Sequence, residues 1–229
     1  SRSHRSWPQN SFLFADFLSN WTKPRYPIST LGEAAMAINN IESLSTVLKA
    51  DQIKTDPENL SYFGKDWTTY YDVKASAIVF PESIQDVQNL VKWARTNKVA
   101  LVPSGGRTGL SGAAVATKGE VVVSFDRMNK ILDFNEFDQT VTLQPGVVTE
   151  ELQNFAKDKG YFYPVDFAAT GSSQIGGNIA TNAGGIKVVR YGLTREWVLG
   201  LKVVTGTGEL LGLNKGLIKN ATGYDLRQL

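Results

Sequence analysis

Ten consecutive residues, 103–112, have the residue types and the spacing best suited to chemistry. They read PSGGRTGLSG and lie between two short apolar runs. The glycines of this loop are Gly105, Gly106, Gly109 and Gly112. Because glycine has no Cβ and readily adopts positive φ, successive main-chain N–H groups can turn toward one anion. Thr108 and Ser111 add hydroxyl donors and Arg107 adds positive charge, so the pattern predicts a phosphate-binding loop, with an ordinary glycine-rich connector as the alternative.

The spacing narrows the class of phosphate site. A P-loop is excluded, because neither Gly-Lys-Ser nor Gly-Lys-Thr occurs in the sequence. A Rossmann turn is a closer match, since Asp126 lies twenty residues after Gly106 and could act as the ribose-binding acid. However, the glycines do not follow G-x-G-x-x-G, and residues 113–119 are too few for a crossover helix before the next apolar run. We therefore expect the loop to join one strand directly to the next.

A second glycine-rich segment, 171–185, reads GSSQIGGNIATNAGG and holds five glycines in fifteen residues. Its uncharged hydrogen-bonding side chains are Ser172, Ser173, Asn178, Thr181 and Asn182. Such a segment suits a large, partly neutral ligand, and a short buried helix with glycine caps is its structural interpretation. A helical turn over 178–183 would direct its N-terminus at phosphate or ribose.

The elements that must position these segments follow from hydrophobic periodicity. Residues 77–80 read as a buried strand, Ser83 opens a helix, and 99–102 read as a strand that runs into the phosphate loop. The apolar residues at helical spacing are Ile84, Val87, Leu90, Val91 and Ala94. This β-α-β unit places the loop at the carboxyl end of a strand, where α/β folds bind ligands. Further strands are predicted near 121–125, 140–143, 198–205 and 209–213, and a further helix near 149–157.

Composition excludes several function classes. The chain has 229 residues, of which 42% are apolar, which is enough for a buried core. The formal charge of +2 comes from residues 1–27, which hold four bases against one acid, so the remainder carries −1 and offers no basic face for nucleic acid.

Targeting and redox signals are sparse. The sequence has no cysteine and one histidine, His4, so we expect no disulfide and no metal site. No apolar run approaches the eighteen residues of a membrane span. Residues 1–27 lack an initiating Met and an apolar signal region, and we interpret them as a tail or a segment added to the natural chain rather than a transit peptide.

Several motifs together carry a family resemblance. The two glycine-rich segments are followed by RYG at 190–192, VLGLKVV at 198–204 and NATGYDLRQL at 220–229. This combination resembles the FAD-binding domain of the vanillyl-alcohol oxidase or p-cresol methylhydroxylase (PCMH) type. Within it, the chain is similar to the branch of glycolate oxidase flavin subunits, D-lactate dehydrogenases and D-2-hydroxyglutarate dehydrogenases. The resemblance runs from about residue 51 to the last residue.

The resemblance implies an α+β fold in which two α/β subdomains hold FAD between them. Residues 28–118 would form the first subdomain, with the pyrophosphate loop at 103–112, and residues 119–229 a truncated second one. The C-terminal cap domain that binds substrate in the family would be absent. We expect the main-chain amides of both glycine-rich segments to converge on one diphosphate.

The resemblance also implies site residues. The residues that match the pyrophosphate loop are Gly105, Gly106, Arg107, Thr108, Gly109 and Ser111. Those that match the segment along the ribityl and flavin side are Gly171, Ser172, Gly176, Gly177, Asn178 and Thr181. Some relatives attach the flavin through a histidine at the position of Arg107 or through a cysteine. Because this chain has neither near a binding segment, we expect non-covalent FAD.

The implied activity is FAD-dependent oxidation of a CH–OH group: a D-2-hydroxy acid such as D-lactate, glycolate or D-2-hydroxyglutarate becomes the 2-oxo acid. We expect the catalytic residues in the absent C-terminal part, so that the 229 residues alone are inactive. The electron acceptor stays unassigned. We expect a cytoplasmic protein, or a mitochondrial one in a eukaryote, with peripheral membrane association left open.

Two alternatives remain at this stage. One is a flavoprotein of the same fold that acts on an alditol, an aldonolactone or an enolpyruvyl sugar nucleotide. The other is a flavin-binding module without catalysis. A substrate panel separates the first from the hydroxy-acid prediction, and the second predicts bound flavin that no 2-hydroxy acid reduces.

Overall fold

A computed structural model describes residues 41–213, 221 and 223–228. All of them belong to one compact unit, Met36–Leu229. The tail predicted at 1–27 lies outside the described residues.

A four-stranded sheet forms the first part of the fold. Its strands are β1 (Ile53–Lys54), β2 (Ala77–Val79), β3 (Leu101–Ser104) and β4 (Val121–Ser124), in the order β1-β2-β4-β3. Strands β2, β4 and β3 run parallel, and β1 pairs with β2 in the antiparallel sense. The pairing of Ser104 with Ser124 brings the carboxyl ends of β3 and β4 side by side.

Two helices cover this sheet, and each begins after a residue whose side chain accepts a hydrogen bond from a main-chain N–H group of the first turn. Helix α1 (Pro57–Phe63) begins after Asp56, whose carboxylate accepts the Asn59 N–H. Helix α2 (Ile84–Asn97) begins with a capping box, in which Ser83 and Asp86 each accept the other's main-chain N–H. The predicted helix is therefore confirmed.

The sheet is buried on both faces, which explains why β2 and β4 read as continuous apolar runs. One face packs against α2 in a cluster of Ala77, Val79, Val121, Val123, Leu90, Trp93 and Ala94. The other face packs Ile78, Phe80 and Val122 with Ala116 and, from α1, Leu60 and Phe63. This double coverage fixes the sheet from which the glycine-rich loop 103–112 leaves.

The remaining elements are two hairpins and three helices. They are β5 (Ile131–Asn135), β6 (Thr140–Leu143), α3 (Thr149–Asp158), α4 (Ile175–Ala180), α5 (Val188–Tyr191), β7 (Leu201–Val204) and β8 (Leu210–Leu213). Val147, Leu152 and Ile175 form a third cluster, against which residues of the β5-β6 hairpin pack. Short 3-10 turns occupy Glu42–Thr46, Ala50–Gln52, Thr194–Trp197 and Leu226–Gln228. Among the described residues, no helix is long and apolar enough to cross a bilayer.

The division into two subdomains stays a prediction, but its boundary needs a correction. Strand β4 lies between β2 and β3 and pairs with both. A first subdomain that ended at residue 118 would lose its central strand. It must extend at least to Ser124.

Candidate functional site

The candidate site begins at the carboxyl end of β3. Residues 105–120 connect β3 to its parallel neighbour β4 without an intervening helix. This confirms that the glycine-rich loop joins strand to strand. It also places the loop beside Asp126, which follows β4 at the same edge of the sheet.

The main-chain amides of this loop are open. Within the described residues, no N–H group of residues 105–111 donates a hydrogen bond to the protein. The run ends at Gly112, whose N–H donates to the Asp66 carboxylate at 2.9 Å. Arg107 has φ of 59°, in the left-handed region, which turns the chain within the run. Consecutive unpaired N–H groups of this kind form a concave site for an anion.

The second glycine-rich segment lies directly against the loop. A Cβ placed on Gly106 would overlap the Ser172 carbonyl oxygen and lie 2.8 Å from the Ser173 Cα atom. A Cβ on Gly105 would lie 3.9 Å from the Gly177 Cα atom. The two segments therefore lie in close contact, and only glycine permits the approach at residue 106. That their amides converge on one diphosphate stays a prediction.

A buried polar cluster fixes the second segment. The Asn178 Nδ2 group donates to Thr149 Oγ1 at 2.6 Å, and Thr149 Oγ1 lies 2.7 Å from Ser173 Oγ. Thr149 is fully buried at the start of α3. The structure thus uses the amide nitrogen of Asn178, a predicted cofactor-binding residue, to hold the segment in place.

Helix α4 differs from the helical turn predicted at 178–183, because it begins at Ile175. The N–H groups of Ile175 and Gly176 donate to the carbonyls of Val147 and Pro145, at 2.9 and 2.8 Å. Within the described residues the Gly177 N–H has no acceptor, and a Cβ on Gly177 would meet nothing within 4 Å. The first turn of this helix therefore offers one amide beside Gly105.

The other predicted site residues are distributed around this meeting point. Thr108 is half-buried, whereas Gly109, Ser111, Gly171 and Ser172 are exposed. In the described part of the chain, no protein group forms a hydrogen bond with the hydroxyls of Thr108, Ser111 and Ser172. The Thr181 hydroxyl donates to the Gly177 carbonyl at 2.9 Å, and Gly176 packs on Pro145. Their contacts with a ligand stay predictions.

Arg107 turns its charge into the protein. Its guanidinium carbon lies 4.8 and 4.7 Å from the ring centroids of Tyr62 and Phe63. Its Nη1 atom lies 3.7 Å from Asp126 Oδ2 and donates to the Gly105 carbonyl at 3.1 Å. The sequence predicted positive charge for the ligand, but the side chain lies between aromatic rings and an acid.

Two residues at the site, Asp66 and Gln174, escaped the sequence analysis, which considered Asp126 only as the ribose-binding acid of a Rossmann turn. Asp66 is buried and accepts the N–H groups of Gly112 and Thr68. Asp126 accepts a 2.6 Å hydrogen bond from Gln174 Nε2, while Gln174 Oε1 is buried without a partner among the described residues. The loop contains no acid, yet the fold brings two carboxylates to it. Parallel pairing of the third and fourth strands would have predicted the position of Asp126.

These features fit the diphosphate of a dinucleotide. The open amides of 105–111 and the unbonded hydroxyls of Thr108 and Ser111 supply donors. The two carboxylates at the loop are themselves engaged by N–H groups.

Comparisons with known proteins agree with this geometry. The profile of a family described as "FAD binding domain" matches residues 75–214. The chain is 67% identical over 189 residues to D-2-hydroxyglutarate dehydrogenase of Stutzerimonas stutzeri, covering 82% of the chain and 41% of that protein. It is 35% identical to the mitochondrial D-2-hydroxyglutarate dehydrogenase of Bos taurus, covering 91% and 38%. The chain thus spans about two fifths of the length of these relatives.

Among solved structures, alkyldihydroxyacetonephosphate synthase has the same fold, with a TM-score of 0.72 and 23% sequence identity. The likeness covers 89% of this chain and 40% of that one.

Proposed function

We infer the function of this chain from its family, since it belongs to the FAD binding domain family. The α+β class and the resemblance to the PCMH type, both expected from the sequence, are confirmed. FAD is accordingly its cofactor. The residues that hold FAD and the reaction of the whole protein are proposals.

We propose that the amides of residues 105–111 bind the FAD diphosphate without a covalent bond. The observation that carries this proposal is the run of unpaired N–H groups in a loop that contacts the second glycine-rich segment at Gly106. The hydroxyls of Thr108 and Ser111 add donors, and the open side of Gly177 leaves space for the rest of the ligand. Glycine at 106 allows the main chains of the two segments to lie in contact.

We propose that the whole protein oxidises a D-2-hydroxy acid, with D-2-hydroxyglutarate as the first candidate, to the 2-oxo acid. The names of the relatives support this substrate class. When bound, FAD supplies a two-electron acceptor, which amino-acid side chains do not provide. The residues of this chain bind and orient the cofactor. We propose that the groups that bind the hydroxy acid belong to the part of the relatives that this chain does not span.

Reduction of the bound flavin tests the proposed reaction. The whole protein is saturated with FAD under anaerobic conditions and mixed with D-2-hydroxyglutarate, D-lactate or glycolate, and the visible absorbance is followed. We expect D-2-hydroxyglutarate to bleach the flavin, because oxidation of the hydroxy acid must reduce the acceptor. L-2-hydroxyglutarate is the stereochemical control. If FAD binds and none of the D-acids bleaches it, the flavin-binding module without catalysis becomes the better description.

Alanine at Gly177 tests the site separately from the fold. A Cβ there meets no protein atom within 4 Å, and alanine favours a helix by about 1 kcal/mol over glycine. We therefore expect unchanged or higher stability in urea, whereas the methyl group enters the proposed FAD site and raises the Kd for FAD about tenfold. Gly212→Ala in β8 is the matched control, since its Cβ also meets nothing within 4 Å. Equal FAD affinity in both variants would remove Gly177 from the site.

For partners, we propose FAD and a small hydroxy acid, and no nucleic acid. We propose the cytoplasm as the compartment in a bacterium, and the mitochondrion in a eukaryote, as the name of the bovine relative suggests. Fractionation of cells that express the natural protein would test this assignment.

A further inference from the structure

We propose that Arg107, Asp126 and Gln174 form a clasp that joins the two glycine-rich segments, and that Arg107 is a positioning residue for the loop rather than a ligand of the diphosphate. This inference rests on the proposed binding of FAD by residues 105–111. It concerns how the loop reaches its binding conformation.

The contacts of the clasp connect three separate parts of the chain. Arg107 belongs to the loop after β3, Asp126 follows β4, and Gln174 precedes α4. One carboxylate oxygen of Asp126 accepts a 2.6 Å hydrogen bond from Gln174 Nε2, and the other oxygen lies 3.7 Å from Arg107 Nη1. The carboxylate therefore bridges the first glycine-rich segment to the second.

The guanidinium of Arg107 contacts two aromatic rings, a carboxylate and a main-chain carbonyl. It lies over the rings of Tyr62 and Phe63, and its side chain is only 16% exposed. A partly buried guanidinium beside two ring faces is oriented by cation–π attraction. To reach a ligand of the open amides, it would have to leave both rings and the carboxylate.

The clasp also acts on the main chain. Arg107 Nη1 donates to the Gly105 carbonyl, which keeps that acceptor on the inner side of the loop. Arg107 itself has φ of 59°, a conformation that costs a non-glycine residue free energy unless contacts hold it. The side-chain contacts thus stabilise the turn that leaves the neighbouring N–H groups open.

The effect of Asp126→Asn on FAD affinity distinguishes the two possible roles of Arg107. If Arg107 contacted the diphosphate directly, removing the nearby negative charge of Asp126 would strengthen FAD binding or leave it unchanged, because like charges repel. If Asp126 instead anchors Arg107 and Gln174, the same change must weaken binding. The two roles therefore predict opposite effects of Asp126→Asn.

The experiment compares FAD dissociation constants, measured by quenching of flavin fluorescence, for the apoprotein and five variants, of which Asp126→Glu is the rescue variant. The other variants are Asp126→Asn, Arg107→Met, the double variant, and Asp133→Asn as the control on the exposed face of β5. We expect each clasp variant to raise the Kd about tenfold, and the double variant to bind about as weakly as the worse single variant, because coupled residues are not additive. Asp126→Glu keeps the charge and should recover part of the affinity.

The outcomes separate the two proposals. Tighter or unchanged binding by Asp126→Asn, with weaker binding by Arg107→Met, would overturn the clasp and make Arg107 a phosphate ligand. Failure of the unaltered apoprotein to bind FAD would overturn the proposed function itself. The asparagine of Asp126→Asn can still accept the hydrogen bond from Gln174 Nε2. The direction of the change in FAD affinity in this variant therefore tests the clasp even if Arg107→Met does not fold.

Discussion

Gly106→Ala is expected to weaken FAD binding by about a hundredfold or more and to lower the free energy of unfolding by about 1–3 kcal/mol. The added Cβ would overlap the Ser172 carbonyl oxygen and approach the Ser173 Cα atom to 2.8 Å. Both are main-chain atoms, which cannot rotate away as the end of a side chain can. The two glycine-rich segments must therefore separate, and the proposed binding amides lose their arrangement.

FAD titration and urea unfolding of the apoprotein measure these two effects. Gly206→Ala is the matched control, because a Cβ there meets no atom within 4 Å and Gly206 lies in the turn between β7 and β8. The control should keep wild-type affinity. Unchanged FAD affinity in Gly106→Ala would mean that the close approach of the two segments is not part of the binding site.

Thr149→Val is expected to lower the free energy of unfolding by about 2–4 kcal/mol. Valine has nearly the shape of threonine, so the change removes the hydroxyl and leaves the packing intact. The Asn178 Nδ2 donor and the Ser173 hydroxyl would then lose their buried partner, and unpaired buried polar groups are costly. Because both residues belong to the second glycine-rich segment, FAD affinity should fall as well.

Equilibrium unfolding in urea measures the stability change, and Thr142→Val is its control on the exposed side of β6. The control should change stability by less than about 0.5 kcal/mol, as is usual for surface substitutions. A loss of similar size in both variants would show that the buried cluster contributes nothing beyond strand or helix propensity. In that case the second segment is held by its apolar contacts alone.

Periodicity and glycine spacing were sufficient for the main elements. Strands β2, β4 and β6 and helix α3 were predicted within one residue at each end, and the start of helix α2 was predicted correctly, because the apolar residues of these elements have a clear pattern. Strand β5 and helix α5 were missed. β5 mixes exposed and half-buried residues without alternation, and α5 has only four residues.

The site was predicted in part. Local composition identified the two glycine-rich segments, since backbone freedom depends on the residues themselves. The roles of Asp66, Asp126 and Gln174 depend on contacts between residues 46 to 48 positions apart in sequence, which no local pattern encodes. The inward direction of Arg107 depends likewise on rings from α1.

The contact between Gly106 and Ser172 limits when the chain can bind FAD during translation. The first of these residues is translated 66 codons before the second, so a nascent chain that has exposed only the early half lacks the second segment of the proposed cofactor site. FAD capture must then follow tertiary closure rather than guide the earliest folding on the ribosome. Ribosome-stalled chains that expose residues up to 165 should leave free FAD unbound, and chains that expose the second wall should begin to retain it.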